Sequence, residues 1–190
     1  MREDLTEIVF LLDRSGSMSG LESDTIGGFN SFVKQQAGFG ETRITTILFD
    51  DKYELLHDGA NASVAVLTEK QYYVRGMTAL LDAVGKAITD VGKRLAETAE
   101  PDRPGKVIFV ITTDGQENSS KEFTYAKVRE MITHQQEKYS WEFVFMGANI
   151  DVAAEGSRLG IKPDMSMAYE ATEEGVEDCF ECIFKVFNRK

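Results

Sequence analysis

Three prolines and two cysteines in 190 residues leave little room for a linker or a disulfide scaffold. The two cysteines, Cys179 and Cys182, form a lone CxxC near the C-terminus. The only histidines, His57 and His134, lie far away without metal spacing, so a four-ligand zinc site has too few donors. Placed on the pattern Val176, Cys179, Phe180, Ile183, Phe184 and Phe187, both thiols fall on the apolar stripe of a helix, where cysteine behaves as a small hydrophobe. No run of about 20 apolar residues occurs, and the opening "MREDLTEIVF" offers neither a basic start nor a long apolar stretch before a cleavage site. The expectation is an intracellular, cytoplasmic protein that does not enter a membrane. Cationic residues are also in short supply. With 21 basic against 32 acidic residues the net charge is −11, which repels phosphate backbones and anionic lipid and argues against nucleic acid as a partner.

What is present is enough apolar material, 42% of the chain, for the core of one domain spanning residues 1–190. Short apolar runs alternate with stretches of helical period. Strands are expected over Glu7 to Asp13, Ile44 to Asp50, Tyr53 to His57, Lys106 to Thr113, Trp141 to Gly147 and, more weakly patterned, Asp164 to Tyr169. Helices are expected over Leu21 to Ala37, Thr78 to Thr98, Thr124 to Lys138, Val152 to Leu159 and Glu173 to Asn188. Several strands are apolar on both faces, as central parallel strands covered by helices are. Only Asp51 and Lys52 separate the second and third, too few for a crossover, so these two form an antiparallel edge hairpin. The fold class is therefore α/β: a doubly wound, mostly parallel, Rossmann-like six-stranded sheet with one antiparallel edge strand and helices on both faces.

In such a sheet ligands gather beyond the C-terminal ends of the strands. Three polar clusters belong on that rim. They are Asp13, Ser15 and Ser17 in "DRSGSM", Thr78 in "GMTALLDA", and Asp114 in "TTDGQEN". Singly, each is an ordinary helix cap or turn. Together they offer two carboxylates and three hydroxyls, all hard oxygen donors, which suit Mg²⁺, Mn²⁺ or Ca²⁺. Glu117 and Asn118, beside Asp114, either hold that loop from behind or simply solvate a turn. The stretch "GGFN", Gly27 to Asn30, and the acidic run "ATEEGVEDC" are read as close packing or a solvated helix face before any contact surface.

The three clusters, in their order and spacing across nearly the whole chain, resemble the metal-ion-dependent adhesion site of von Willebrand factor A-type domains, the small free-standing bacterial members most of all. The resemblance implies Ser15 and Ser17 as direct ligands, Thr78 as a ligand that joins or leaves with conformation, and Asp13 and Asp114 as the charges around the ion. It also implies a central first strand with the hairpin on one side and the later strands on the other. Met77 departs from the family pattern, which more often has glycine before the threonine.

Mostly neutral donors leave a bound dication electrophilic, with a position open for a partner's Asp or Glu. The leading expectation is a non-enzymatic protein-binding module working through that ion. Resemblance would allow an adaptor role beside an AAA-type ATPase; the oligomeric state is left open. A Mg²⁺-dependent phosphohydrolase or phosphotransferase with Asp13 as nucleophile is the rival. Against it, Asp13 is followed by Arg14 and Ser15 rather than a second aspartate, and no GxxxxGK[ST] loop occurs. A scaffold with a vestigial site is the third reading.

Overall fold

The computed structural model describes residues 1–188. The elements follow in the order β1 (Arg2–Asp13), α1 (Glu22–Ala37), β2 (Glu41–Phe49), β3 (Tyr53–Asn61), α2 (Leu80–Glu97), β4 (Pro104–Thr113), α3 (Tyr125–Tyr139), β5 (Glu142–Gly147), α4 (Val152–Arg158), β6 (Ser166–Ala168) and α5 (Glu173–Phe187). The strands form one sheet in the order β3-β2-β1-β4-β5-β6. Every pairing is parallel except β2 with β3. The expected central first strand, edge hairpin and flanking helices are all present.

Alternation along β1 divides the core. Val9 and Leu11 point to the layer of α2, α3 and α4, with Phe109, Phe143 and Phe145 beside them. Ile8, Phe10 and Leu12 point to the layer of α1 and α5, where Phe29, Phe32, Phe180 and Ile183 close over them. Gly28 belongs to that second layer. A Cβ there would lie 2.5 Å from the Phe180 ring, so the glycine lets α1 and α5 approach, as the close-packing reading of Gly27 to Asn30 allowed. Cys179 is buried against the same layer and burial pushes its thiol up to about 12, which makes it an inert core residue. Cys182 is only partly buried, with its sulfur 3.3 Å from that of Met167.

Several boundaries differ from the sequence expectation. β1 begins at Arg2 rather than Glu7, because its exposed start is held by side-chain charge. Arg2 pairs with Asp4 and with Glu41 of β2. β3 continues through Asp58-Gly59, a dipeptide that usually marks a turn. Here two register shifts absorb the extra residues and Gly59 takes φ +63° inside the strand. β6 keeps three residues, since Pro163–Met165 winds into a 3-10 turn ahead of it. No helix among the described residues is long and apolar enough to cross a membrane.

Candidate metal centre

β1 and β4 run side by side and in register, with Leu12 opposite Thr112, so Asp13 and Thr113 end their strands together. Asp13 is fully buried. Its Oδ1 accepts the Ser15 backbone N–H at 2.7 Å and its Oδ2 accepts the Thr113 hydroxyl at 2.7 Å. The first bond folds the chain back immediately after the strand, an Asx turn that sends Ser15 and Ser17 over the sheet edge. Their hydroxyl oxygens lie 3.0 Å apart. Gly16 N–H donates to the Gly76 carbonyl at 3.2 Å, which brings the Thr78 loop against the first one. Gly115, next to Asp114, stands against both: a Cβ built on it would be 3.0 Å from Ser17 Oγ and 3.6 Å from Thr78 Oγ1. Three loops separated by scores of residues thus place Asp13, Ser15, Ser17, Thr78 and Asp114 around one small volume.

The electrostatics of that volume are unusual. Burial raises the titration of both carboxyls above the ordinary carboxylate range. For Asp13, hydrogen bonds from Ser15 and Thr113 offset part of the rise. Asp114 has less help. Both of its oxygens are buried with no hydrogen-bond partner, and Asp13 nearby pushes its titration further up. The Ser17 hydroxyl approaches closely enough to counter this in part, without the geometry of a hydrogen bond. Native proteins rarely leave a buried carboxylate unpartnered. A hard cation is the partner this donor set fits: two carboxylates, three hydroxyls and no sulfur or imidazole. Among the described residues no trio of His, Cys, Asp or Glu forms a metal cluster, so the hydroxyls are indispensable to any ion held here.

Capping does not explain these residues. α2 begins at Leu80, two residues later than expected, and its N-cap is Ala79, which offers no side-chain bond. The α2 amides are served instead by the loop after β4. Glu117 accepts from the Leu81 N–H at 3.0 Å and Ser120 Oγ from the Asp82 N–H at 3.0 Å, while Asn118 Oδ1 accepts from the Thr78 N–H at 2.8 Å. In return the Thr78 carbonyl accepts the Asn118 N–H at 3.0 Å, and Asp82 accepts three amides, those of Lys121, Glu122 and Phe123. Glu117 and Asn118 therefore hold the Thr78 and Asp114 loops together. The Met77 departure is resolved one residue earlier: Gly76 takes φ +67° and provides the bend, leaving the Met77 side chain exposed beside the site.

Four residues that sequence reasoning passed over also shape the centre. Thr113 donates to Asp13, and Tyr72 donates its hydroxyl to the Asp13 carbonyl at 2.6 Å. Asp82 and Ser120 complete the stitch between loops. Only Thr113, next to Asp114 in "TTDG", stood close enough in sequence to have been noticed. Arg14 is the larger surprise, since a charged residue between Asp13 and Ser15 suggests solvent. It is wholly buried, with Nη1 2.8 Å from Glu54 and Nε 3.4 Å from Asp50, and Asp50 also takes Arg75 at 2.7 Å.

Comparison with solved structures identifies the architecture. The vWF domain of a type V pili tip protein from Porphyromonas gingivalis superposes with a TM-score of 0.66 at 11% identity, over 100% of this chain and 98% of that one. The chain has the von Willebrand factor A-like fold. The PilB minor pilin of Streptococcus sanguinis shares it at a TM-score of 0.68 and 13% identity, over 98% of this chain and 62% of that one. Proximal thread matrix protein 1 of the mussel byssus, with a zinc-occupied metal-ion-dependent adhesion site, shares it at 0.63 and 16% identity, over 97% and 46%. This A-like chain spans about half the length of the byssus protein. No family model and no curated protein sequence matches it.

Proposed function

We propose that this A-like domain is a metal-dependent protein-binding module, with Asp13, Ser15, Ser17, Thr78 and Asp114 holding Mg²⁺, or Mn²⁺ or Ca²⁺ in its place. The single observation that carries the reading is Asp114: a carboxylate with both oxygens buried and unpartnered, set among three hydroxyls. The occupied adhesion site of the byssus protein supports it. When bound, the ion supplies an electrophilic position that a partner's Asp or Glu completes. Ser15, Ser17 and Thr78 present neutral oxygens, which quench the ion's charge less than further carboxylates would and keep it electrophilic toward the partner. Asp13, locked by Ser15 and Thr113, fixes the first loop, and Asn118 fixes Thr78. In a chain of net charge −11, such a site offers an acidic partner one locally attractive point.

The phosphoryl-transfer reading finds less support. An aspartate nucleophile of that kind works with a second aspartate as acid and base, whereas Asp13 is followed by Arg14 and Ser15. Isothermal titration with Mg²⁺ and Mn²⁺, followed by affinity capture with Mg²⁺ or chelator, tests the proposal. Expected are metal binding that Asp114→Ala abolishes and a set of captured proteins lost with chelator. Absence of metal binding to folded wild type, or turnover of a phosphate ester that vanishes in Asp13→Asn, would replace it.

A further inference from the structure

The opposite end of the sheet carries a second feature that the metal centre does not use. A groove of about 920 Å³ runs between the last turns of α2 and the length of α3, floored by the start of β4 and the residue before β5. That volume is in the range of small-molecule sites. Leu95, Val107, Met131 and Trp141 make its apolar floor. Trp141 stacks on Phe109 with ring centroids 5.3 Å apart, and Gly92 of α2 lies close over the far edge of the indole, where a Cβ would be in contact at 3.9 Å. The indole is rigidly backed and mostly buried, and it lines the floor of the groove with only a small part of its surface exposed.

Charge around this floor runs against the rest of the molecule. Lys93, Arg103, Lys127 and Lys138 line the groove with Glu130 as the opposing carboxylate, in a chain where acids outnumber bases by 32 to 21. Glu130 pairs with Lys127 at 3.7 Å. Lys93 and Lys138 meet no carboxylate among the described residues. Arg103 is held in place by the Thr98 and Ala96 carbonyls, at 2.8 and 3.0 Å, which satisfy part of its guanidinium and leave its charge uncancelled. Long cationic side chains over an apolar floor favour a ligand with an anionic head and an apolar body.

We propose that the groove between α2 and α3 binds an amphipathic organic anion, its carboxylate met by Lys93, Lys138 and Arg103 and its aliphatic or aromatic body laid on Leu95, Val107, Met131 and Trp141. The site is independent of the metal centre, which lies beyond the other ends of the same strands. Trp141 is the one tryptophan of the chain, so its fluorescence reports the groove alone.

The test titrates the 190-residue protein with dodecanoate, reading Trp141 emission and, separately, heat. A saturable change with one site is expected. Dodecan-1-ol, with the same body and no charge, binds about tenfold weaker or worse, and Lys93→Glu/Lys138→Glu weakens dodecanoate by at least about tenfold while its thermal transition stays near that of wild type. Should the double variant fail to fold, Lys93→Gln alone is expected to weaken binding about threefold. No saturable response in either readout, equal affinity for the alcohol, or unchanged affinity in the lysine variants overturns the proposal.

Discussion

Asp114 is held by geometry in a position that costs the protein stability unless a cation meets it. A polar group buried without a partner is destabilising by about 1–3 kcal/mol and a charged one by more, and both Asp114 oxygens lack a partner. Asp114→Asn keeps the shape and removes the charge. The metal-free variant is expected to be more stable than wild type by about 1–2 kcal/mol, a gain readable by urea denaturation in chelator. The same variant should gain no stability from added Mg²⁺. A variant less stable than wild type without metal would show that Asp114 is satisfied in some other way. Asp13 behaves differently, because Ser15 and Thr113 occupy its oxygens, so its removal is expected to disrupt the loop rather than relieve it. Residues that look equivalent in sequence, an aspartate at the end of each of two strands, are thus in opposite conditions. One is pinned by its hydrogen bonds and the other has no partner for either oxygen.

At the scale of elements, the site rests on α2 being capped by another loop. Glu117 accepts from the N–H groups of Leu81, Ser119 and Ser120 and from the Ser120 hydroxyl, and its negative charge also suits the positive end of the helix. Glu117→Gln turns two of those acceptor positions into one donor facing other donors. Expected are a stability loss of about 1–3 kcal/mol by chemical denaturation and a Mg²⁺ affinity at least about tenfold lower by calorimetry, although Glu117 touches no ion. The edge hairpin carries a separate test. Burial lowers the His57 titration, partly countered by the Val66 backbone, and the ring stacks on Phe29 while its Nδ1 lies 2.9 Å from Thr46 Oγ1. A histidine whose folded pKa is depressed takes up its proton on unfolding, so its contribution is present above the unfolded value of about 6.5 and lost as pH falls through it. The thermal transition of wild type should drop between about pH 7.5 and 5.5, and less so in His57→Gln. The strands, the hairpin and the helices could be read from the chain because apolar period and loop length are local properties, whereas the strand order was implied by the family resemblance alone. The Asp13, Ser15 and Ser17 group was legible for the same reason: its geometry lies within one turn. Asp82, Ser120 and the burial of Arg14 were not, since each depends on a partner brought up from a distant segment. Arg14 is tolerated inside because Asp50 and Glu54 of the hairpin arrive as counterions, with the Gln71 carbonyl and the Tyr73 ring beside them.

The whole molecule adds a field to these local arrangements. A net charge of −11 repels itself in the folded state, and two of its carboxylates are forced into neighbouring strand ends. Any salt therefore stabilises somewhat by screening, and only a cation that reaches Asp114 does more. The two effects separate at matched ionic strength. In KCl the transition temperature should rise slightly with concentration and not saturate over the range where binding does. In MgCl₂ it should rise further, with a saturating component that follows occupancy. If Mg²⁺ binds with a dissociation constant of about 0.1 mM, then about 10 mM adds roughly 2.7 kcal/mol, or about 5–10 °C for a domain of this size. Ser15→Ala should lose most of that component and keep the KCl response, because the net charge is unchanged. Equal curves in the two salts would mean that the centre senses ionic strength alone, and the orphaned carboxylate would then have no ligand role. A saturating rise confined to MgCl₂ ties global stability to the rim, so that the metal site acts on the folding equilibrium of the whole sheet through β1 and β4, the strands that carry its two carboxylates.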